Sequence, residues 1–327
     1  MNDTLNRIII RDAMNALKQL PDECIDCCVT SPPYYGLRDY GVPGQIGIEE
    51  TPEIYIEKLV TIFREVRRVL KNDGTLWVNI GDSYAGGAGR WDGAKNLNSK
   101  QASNKGSYGQ IKVAQKWKHD NIKRKDLIGI PWTLALTLRA DGWYLRQDII
   151  WYKPNCMPES VKDRCTKSHE YIFMLSKSDK YYYDNEAIKE PCVSGDVSSP
   201  RGSKGTRTPN SARRKQDYYG ISRYTGFNER CSNKSQPTMK NKRDVWSIPT
   251  SGYRGAHFAT FPEKLVEPCI LAGSRKGGVV LDPFFGSGTT AVVATNHGRN
   301  YIGIELNPDY VELAKQRLSS NNSQISF

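Results

Sequence analysis

The chain has no apolar run approaching the roughly 18 residues that a membrane span requires. Its start, Met1 to Ile10, has no basic segment followed by a long apolar core, so no signal peptide is expected. A soluble protein that stays in the cytoplasm is therefore expected. There is one C-x-x-C pair, Cys24 and Cys27, but no second pair to complete a zinc site. Cys165 and His169 fit no four-ligand spacing either. No metal is expected, and the eight cysteines are read as buried free thiols. No internal repeat is visible. The Gly-x-Gly turn at Gly286 and Gly288 lacks the P-loop lysine. It is also not G-x-G-x-x-G, because position 291 is alanine, which counts against triphosphate and dinucleotide sites. With 38% hydrophobic and 25% charged residues over 327 positions, the chain is neither collagen-like nor fully disordered. It is long enough to bury an apolar core without disulfides.

What the sequence has in excess is positive charge: 47 Lys and Arg against 35 Asp and Glu, a net +12. That balance suits a polyanionic partner such as nucleic acid. Between Cys192 and Asp244 there are 12 basic residues against four acidic ones, interleaved with Tyr218, Tyr219, Tyr224 and Phe227. This stretch is rich in Ser, Arg and Asn. Residues 85–125 are rich in Gly, Asn, Ser and Lys and poor in large apolar residues, so a mobile loop or insertion is expected there.

The rest alternates between strand and helix patterns. Short apolar runs at Arg7–Ile10, Cys24–Thr30 and Thr75–Ile80 predict buried strands. Ala13–Leu20 has helical spacing. Thr51 and Pro52 open a second helix whose apolar face is Ile56, Leu59, Val60, Phe63, Val66 and Leu70, ending at Asn72-Asp73-Gly74. A helix is predicted over Pro131–Ala140, then strands over Gln147–Tyr152 and His169–Ser176. A further helix over Pro262–Ala272 closes at Gly273. Then follow a strand at Val279–Leu281, a helix to His297-Gly298, a strand at Tyr301–Ile304 and a last helix from Asn307-Pro308 to Leu318. Such alternation predicts a mostly parallel α/β sheet covered on both faces.

In open α/β sheets, ligands bind beyond the carboxyl ends of strands, and two such ends are unusual here. In the first, Leu281 leads into Asp282-Pro283-Phe284-Phe285-Gly286-Ser287-Gly288-Thr289-Thr290. Its glycines let a ligand approach the backbone closely. At the next strand end, Glu305 can bind the two hydroxyls of a ribose, so the pair points to a nucleoside cofactor. In the second, Thr30 leads into Ser31-Pro32-Pro33-Tyr34. Two prolines stiffen the chain and carry no N–H, leaving a ledge of carbonyl acceptors. Flanked by Ser31 and the ring of Tyr34, that ledge suits a planar group bearing an exocyclic amine.

Together these two segments resemble the S-adenosylmethionine-dependent amino-group DNA methyltransferases, which methylate cytosine N4 or adenine N6. The SPPY motif precedes the cofactor motif, as in the permuted beta class. His257–Pro262, Ile149–Asn155 and His169–Phe173 resemble further segments of that class. The resemblance implies a Rossmann-like, doubly wound methyltransferase sheet, circularly permuted, with a basic, loop-rich target-recognition insertion. Residues 1–190 would form the catalytic half, 191–250 the target-recognition region and 251–327 the cofactor half. The strand at Arg7–Ile10 would then lie beside the strand ending at Glu305.

By the same resemblance Ser31, Pro32, Pro33 and Tyr34 are catalytic. Asp12, Phe261, Asp282, Phe284, Gly286, Ser287, Gly288, Thr289, Glu305 and Asn307 bind S-adenosylmethionine, with Asp12 at the adenine, Glu305 at the ribose and Phe284 and Phe261 flanking. Serine in the first motif position favours cytosine N4, whereas Asp or Asn there is the usual adenine form. The partner implied is double-stranded DNA in a prokaryotic or phage setting, at the nucleoid and not at a membrane. A homodimer and a cognate restriction endonuclease as functional partner are consistent with the class. Three other readings stay open: N6-adenine methylation, an RNA or protein-amide methyltransferase, and a non-catalytic DNA-binding protein.

Overall fold

The computed structural model describes residues 5–37, 40–85, 119–192, 239–250 and 261–324. Most of the expected loop at 85–125, most of the basic stretch 192–244, and His257 lie outside the described residues. The chain divides into two compact units, residues 1–184 with 243–327, and residues 185–242. Among the described residues no helix is long and apolar enough to cross a membrane.

The larger unit is built on an eight-stranded sheet. Its strands are β1 (Arg7–Ile10), β2 (Ile25–Thr30), β3 (Leu70–Ile80), β4 (Tyr144–Tyr152), β5 (His169–Ser176), β8 (Val245–Ser247), β9 (Val279–Asp282) and β10 (Asn300–Glu305). Their order across the sheet is β1-β10-β9-β2-β3-β5-β4-β8. Every neighbouring pair is parallel except the two made by β5. Six helices pack with them: α1 (Ala13–Leu17), α2 (Pro52–Val69), α3 (Ile130–Ala140), α4 (Glu263–Gly273), α5 (Thr289–Asn296) and α6 (Pro308–Gln324). In the smaller unit, β6 (Glu190–Pro191) and β7 (Met239–Lys240) pair antiparallel, with Lys240 3.4 Å from Glu190.

The central strand β2 is buried at every position, Asp26 and Thr30 included, as expected for a mainly apolar strand covered on both faces. Beside it, α2 presents Tyr55, Ile56, Leu59, Val60, Phe63 and Val66 to the core. Thr51 caps this helix by accepting from the Ile54 N–H, and Pro52 supplies a preset φ in the first turn. The helix ends earlier than its sequence suggests. Leu70 turns to an extended conformation (φ −68°, ψ 138°) and opens β3 directly. Asn72-Asp73-Gly74 therefore lies inside β3, where the register against β2 shifts between Ile25 and Cys27. A Cβ at Gly74 would stand 3.0 Å from the Leu70 side chain and 3.1 Å from the Asp26 carbonyl oxygen, so a larger residue at the bulge would require its neighbours to shift.

Three other expectations shift. The first helix stops at Leu17, not Leu20. Ala85 is buried and exchanges backbone hydrogen bonds with Lys125 and Asp126, both 2.8 Å, so the ends of the expected loop are tied together. Cys27, Cys28 and Cys269 are buried, and burial pushes the Cys27 thiol up to about 12, whereas Cys165 is exposed.

The N-terminal strand lies where the permuted order requires it. β1 pairs in parallel with β10, with Ile10 opposite Glu305, and the Arg11 N–H donates to the Glu305 carbonyl at 3.0 Å. In β10, Gly303 makes room for the buried ring of Phe285, since a Cβ there would fall 2.3 Å from that ring. Gly303→Ala should therefore force the ring out of place and cost about 1–3 kcal/mol, as overpacking does. Urea unfolding checks this; an unchanged midpoint would show that the Phe285 seat can relax.

Candidate active site

The two unusual strand ends meet. Cys28 of β2 pairs with Leu281 of β9, so the chain leaves the sheet at Ser31 and at Pro283 side by side. Both segments open onto one crevice of about 940 Å³. It is lined by Ser31, Pro32, Pro33 and Tyr34, and by Asp12, Phe261, Phe284, Gly286, Ser287, Thr289, Glu305 and Asn307. Asp282 and Gly288, also expected to touch the cofactor, do not line it.

Asp282 acts from beneath. Fully buried, it accepts from the Thr30 hydroxyl at 2.7 Å and the Phe284 N–H at 3.1 Å through one oxygen, and from the Thr290 hydroxyl at 2.7 Å through the other. It thereby ties the root of the Ser-Pro-Pro-Tyr segment to both arms of the glycine turn. Burial pushes its carboxyl up to about 6, although the three hydrogen bonds oppose the shift. Gly288 is the N-cap of α5, at φ +77°. A Cβ there would press on Ala314 at 3.0 Å and on the Phe285 ring at 3.2 Å, which explains the glycine through packing rather than ligand contact.

The turn itself is held from two sides. Gly286, at φ +51°, sends its N–H to Glu305 Oε2 at 2.7 Å, and Asn307 sends its N–H to Glu305 Oε1 at 2.8 Å. Glu305 thus anchors the turn and faces the crevice at once, and each of its oxygens keeps lone-pair capacity for a further donor. Burial raises its carboxyl above the usual range, while the backbone donors pull it back. Arg317 of α6 donates to Thr289 Oγ1 at 2.8 Å and Ser287 Oγ at 3.3 Å. The Asn307 side chain accepts from the Asp309 N–H at 3.0 Å, so it shapes the start of α6. Asp12 caps α1, accepting from the Asn15 N–H at 2.9 Å and the Asn15 side-chain amide at 2.7 Å, and lines the crevice just past the end of β1, the strand beside β10.

The proline ledge is clamped from below. Tyr55 of α2 donates its hydroxyl to the Pro33 carbonyl at 2.8 Å. The Tyr34 hydroxyl donates to Glu170 Oε2 of β5 at 2.7 Å and reaches Asn79 Oδ1 of β3 at 3.3 Å. Burial, followed by the charge of Glu170, holds the Tyr34 phenol well above its ordinary pKa. Lys153, just past β4, pairs with Glu170 and lies 4.3 Å above the Trp151 ring. Asn155 exchanges hydrogen bonds with Thr250, accepting from its N–H at 2.8 Å and donating to its carbonyl at 3.0 Å. Asn79, Trp151, Lys153 and Glu170 all line the crevice, yet none is singled out from the sequence. Trp151, Lys153 and Glu170 fall in the two segments, Ile149–Asn155 and His169–Phe173, that resemble the class, and Trp151 lies opposite Glu170 in register.

The DNA methylase family profile matches residues 25–316. The Type II methyltransferase M.SmaI of Serratia marcescens is 49% identical over 312 residues, covering 95% of this chain and 90% of that protein. Among solved structures, the cytosine-N4-specific PvuII DNA methyltransferase is similar with a TM-score of 0.60 at 18% identity, covering 97% of this chain and 91% of that one. A Thermus thermophilus protein complexed with S-adenosyl-L-methionine is similar with a TM-score of 0.55 at 23% identity, covering 97% and 94%. At those identities the two structures bear on the fold.

A carboxyl raised from 3.8 to about 6 binds its proton more tightly in the folded protein. Its contribution to stability is then fullest below pH 4 and falls as pH rises through 6, by at most about 3 kcal/mol. Asp282→Asn removes the titration while keeping an acceptor for the Phe284 N–H. Denaturant unfolding from pH 4 to 7 should show the variant gaining on the wild type across that window. Parallel pH profiles would mean that Asp282 bears no such burden.

Proposed function

The chain belongs to the DNA methylase family, and from that premise we propose that it transfers the methyl group of S-adenosylmethionine to N4 of a cytosine rotated out of duplex DNA. The observation that carries this reading is the shared crevice, with a stiff acceptor ledge and a glycine turn on adjacent strand ends. The cofactor half fits the group. Space lies open above Gly286, Phe284 and Phe261 offer apolar faces, and the Glu305 carboxylate can accept from ribose hydroxyls. Asp12, just past the neighbouring strand end, can accept from the adenine amine. The choice of cytosine rests on Ser31 in the first motif position.

When bound, S-adenosylmethionine supplies a methyl group on a positively charged sulfur. The chain's own residues prepare the nucleophile. Rotating a nucleotide out of the duplex costs a few kcal/mol, and a base stacked on an aromatic ring recovers about 1–3 kcal/mol. The Tyr34 ring is placed to provide that face. Ser31 Oγ and the Pro32 carbonyl accept the two N–H bonds of the base's amine, drawing its lone pair out of conjugation with the ring. As the nitrogen takes the methyl group the carbon–sulfur bond would break, leaving a neutral thioether, and the nitrogen would release one of its two protons to solvent; catalysis then comes from orientation and fixed dipoles. The basic residues of 191–250 are assigned to phosphate and base-edge contacts, and so to the choice of target sequence. A homodimer and a cognate restriction endonuclease as functional partner belong to the same reading.

Mass spectrometry of nucleosides from duplex DNA incubated with the protein and cofactor should show N4-methylcytosine. N6-methyladenine instead would overturn the base choice, and no methylated base the whole reading. Tyr34→Ala should abolish turnover and leave cofactor affinity within about twofold, because stacking acts on the base. Glu305→Ala should weaken cofactor binding by calorimetry about tenfold or more, through the lost ribose acceptor and the loosened turn. Unchanged affinity would remove Glu305 from the cofactor site.

A further inference from the structure

The Tyr34 ring is the one aromatic face of the acceptor ledge, and its backbone does not fix its tilt. The ring sits in a socket with three walls. Behind it, Gly81 leaves it room, since a Cβ there would fall 2.8 Å from the ring edge. At its tip the hydroxyl donates to Glu170 at 2.7 Å, with Asn79 a more distant acceptor at 3.3 Å. Asn79 also steadies the pair from the side, donating to Glu170 Oε2 at 3.3 Å and to the Tyr171 carbonyl at 3.1 Å. Beyond, Lys153 neutralises Glu170 and is itself held over the Trp151 ring. The carboxylate and ammonium side chains keep only 15% and 17% of their surface exposed, so this pair is largely removed from solvent. A pair so placed is weak ground for a stability role, because desolvation offsets most of the attraction. A role in fixing geometry accounts for it better.

We infer that Glu170 is a positioning residue for methyl transfer: it locks the Tyr34 ring, through its hydroxyl, into the tilt that receives the flipped base, and Lys153 serves to hold that acceptor in place. This rests on the methyl-transfer reading of the crevice. Nothing in it requires Glu170 to touch the base or to take a proton from it.

The claim separates from a merely structural role through a mutant cycle. Removing Glu170 alone would strand the Lys153 ammonium, so both are changed together. Glu170→Ala with Lys153→Met should lower the single-turnover rate about tenfold or more while cofactor affinity stays within about twofold, as misplacing a reacting group does. Glu170→Gln with Lys153→Met restores an acceptor for the Tyr34 hydroxyl without the ion pair, and should recover most of that rate. In a Tyr34→Phe background the Glu170→Ala, Lys153→Met change should cost less than about threefold, because residues acting through one contact are not additive. A full tenfold loss in that background, or no recovery with glutamine, would overturn the assignment.

A second readout does not depend on turnover. With 3-fluorotyrosine incorporated throughout, the fluorine resonance of position 34 is identified by its loss in Tyr34→Phe. It should shift and average in Glu170→Ala with Lys153→Met and return toward the wild-type position in Glu170→Gln with Lys153→Met. A resonance that ignores both changes would sink the positioning role even if methylation is observed. A resonance that responds while no base is ever methylated would instead leave the socket standing and remove the reaction assigned to it.

Discussion

The hydrogen bond between Thr30 and Asp282 joins the last residue of β2 to the last residue of β9. The two segments to which the proposed reaction is assigned follow immediately after those two residues. The ledge begins at Ser31 and the glycine turn at Pro283, so a shift at this junction moves the amine acceptors relative to the cofactor half. A reaction driven by alignment is sensitive to displacements of about 1 Å. The junction is correspondingly over-determined: one buried carboxylate takes three donors, from β2, from the turn and from α5. The cost is a group that burial pushes toward protonation. Rigidity at the seam between the two halves is obtained with an ionisable group whose own desolvation works against it.

Glu305 shows the same economy at the cofactor end. One carboxylate spans Gly286 and Asn307 and still faces the crevice, so the group assigned to the ribose is also the strut that shapes the turn. Arg317 holds the next residues from α6, tying Ser287 and Thr289 to the last helix. A substitution at Glu305 would change the assigned ribose contact and the turn geometry together, whereas one at Arg317 would act on the turn alone.

Much of this was legible from residue order. Mainly apolar runs marked β2, β3 and β9, and the motifs at their ends marked both halves of the crevice. The neighbourhood of β1 and β10 followed from the permuted resemblance and was met in register, Ile10 opposite Glu305. What escaped was set by tertiary packing. Asn72-Asp73-Gly74 carries every local signal of a helix stop, yet burial of Leu70 turns the chain into a strand first. Asp282 and Gly288 belong to the motif, but the motif says nothing of which members face the ligand and which support those that do. Glu170, Lys153 and Asn79 come from three strands that only the antiparallel insertion of β5 brings together. No spacing along the chain encodes that meeting.

The ledge gains selectivity from what its neighbours remove. Prolines 32 and 33 contribute no N–H, so the segment presents acceptors alone over two residues. Tyr55 then occupies the Pro33 carbonyl. Gly47 stands against the Tyr34 carbonyl oxygen, at 2.9 Å from where its Cβ would be. Among the described residues no hydrogen bond reaches the Pro32 carbonyl, which together with Ser31 faces the crevice. On the proposed reading these two oxygens accept the two N–H bonds of an amino group; a carbonyl at the same place on a base could take the rotatable Ser31 hydroxyl proton but would meet the Pro32 carbonyl lone pair with lone pair. That mismatch leaves the Pro32 carbonyl unpaired, which costs more than a missing methylene would. On that reading the Pro32 carbonyl favours an amine before the shape of the base or the sequence around it is read.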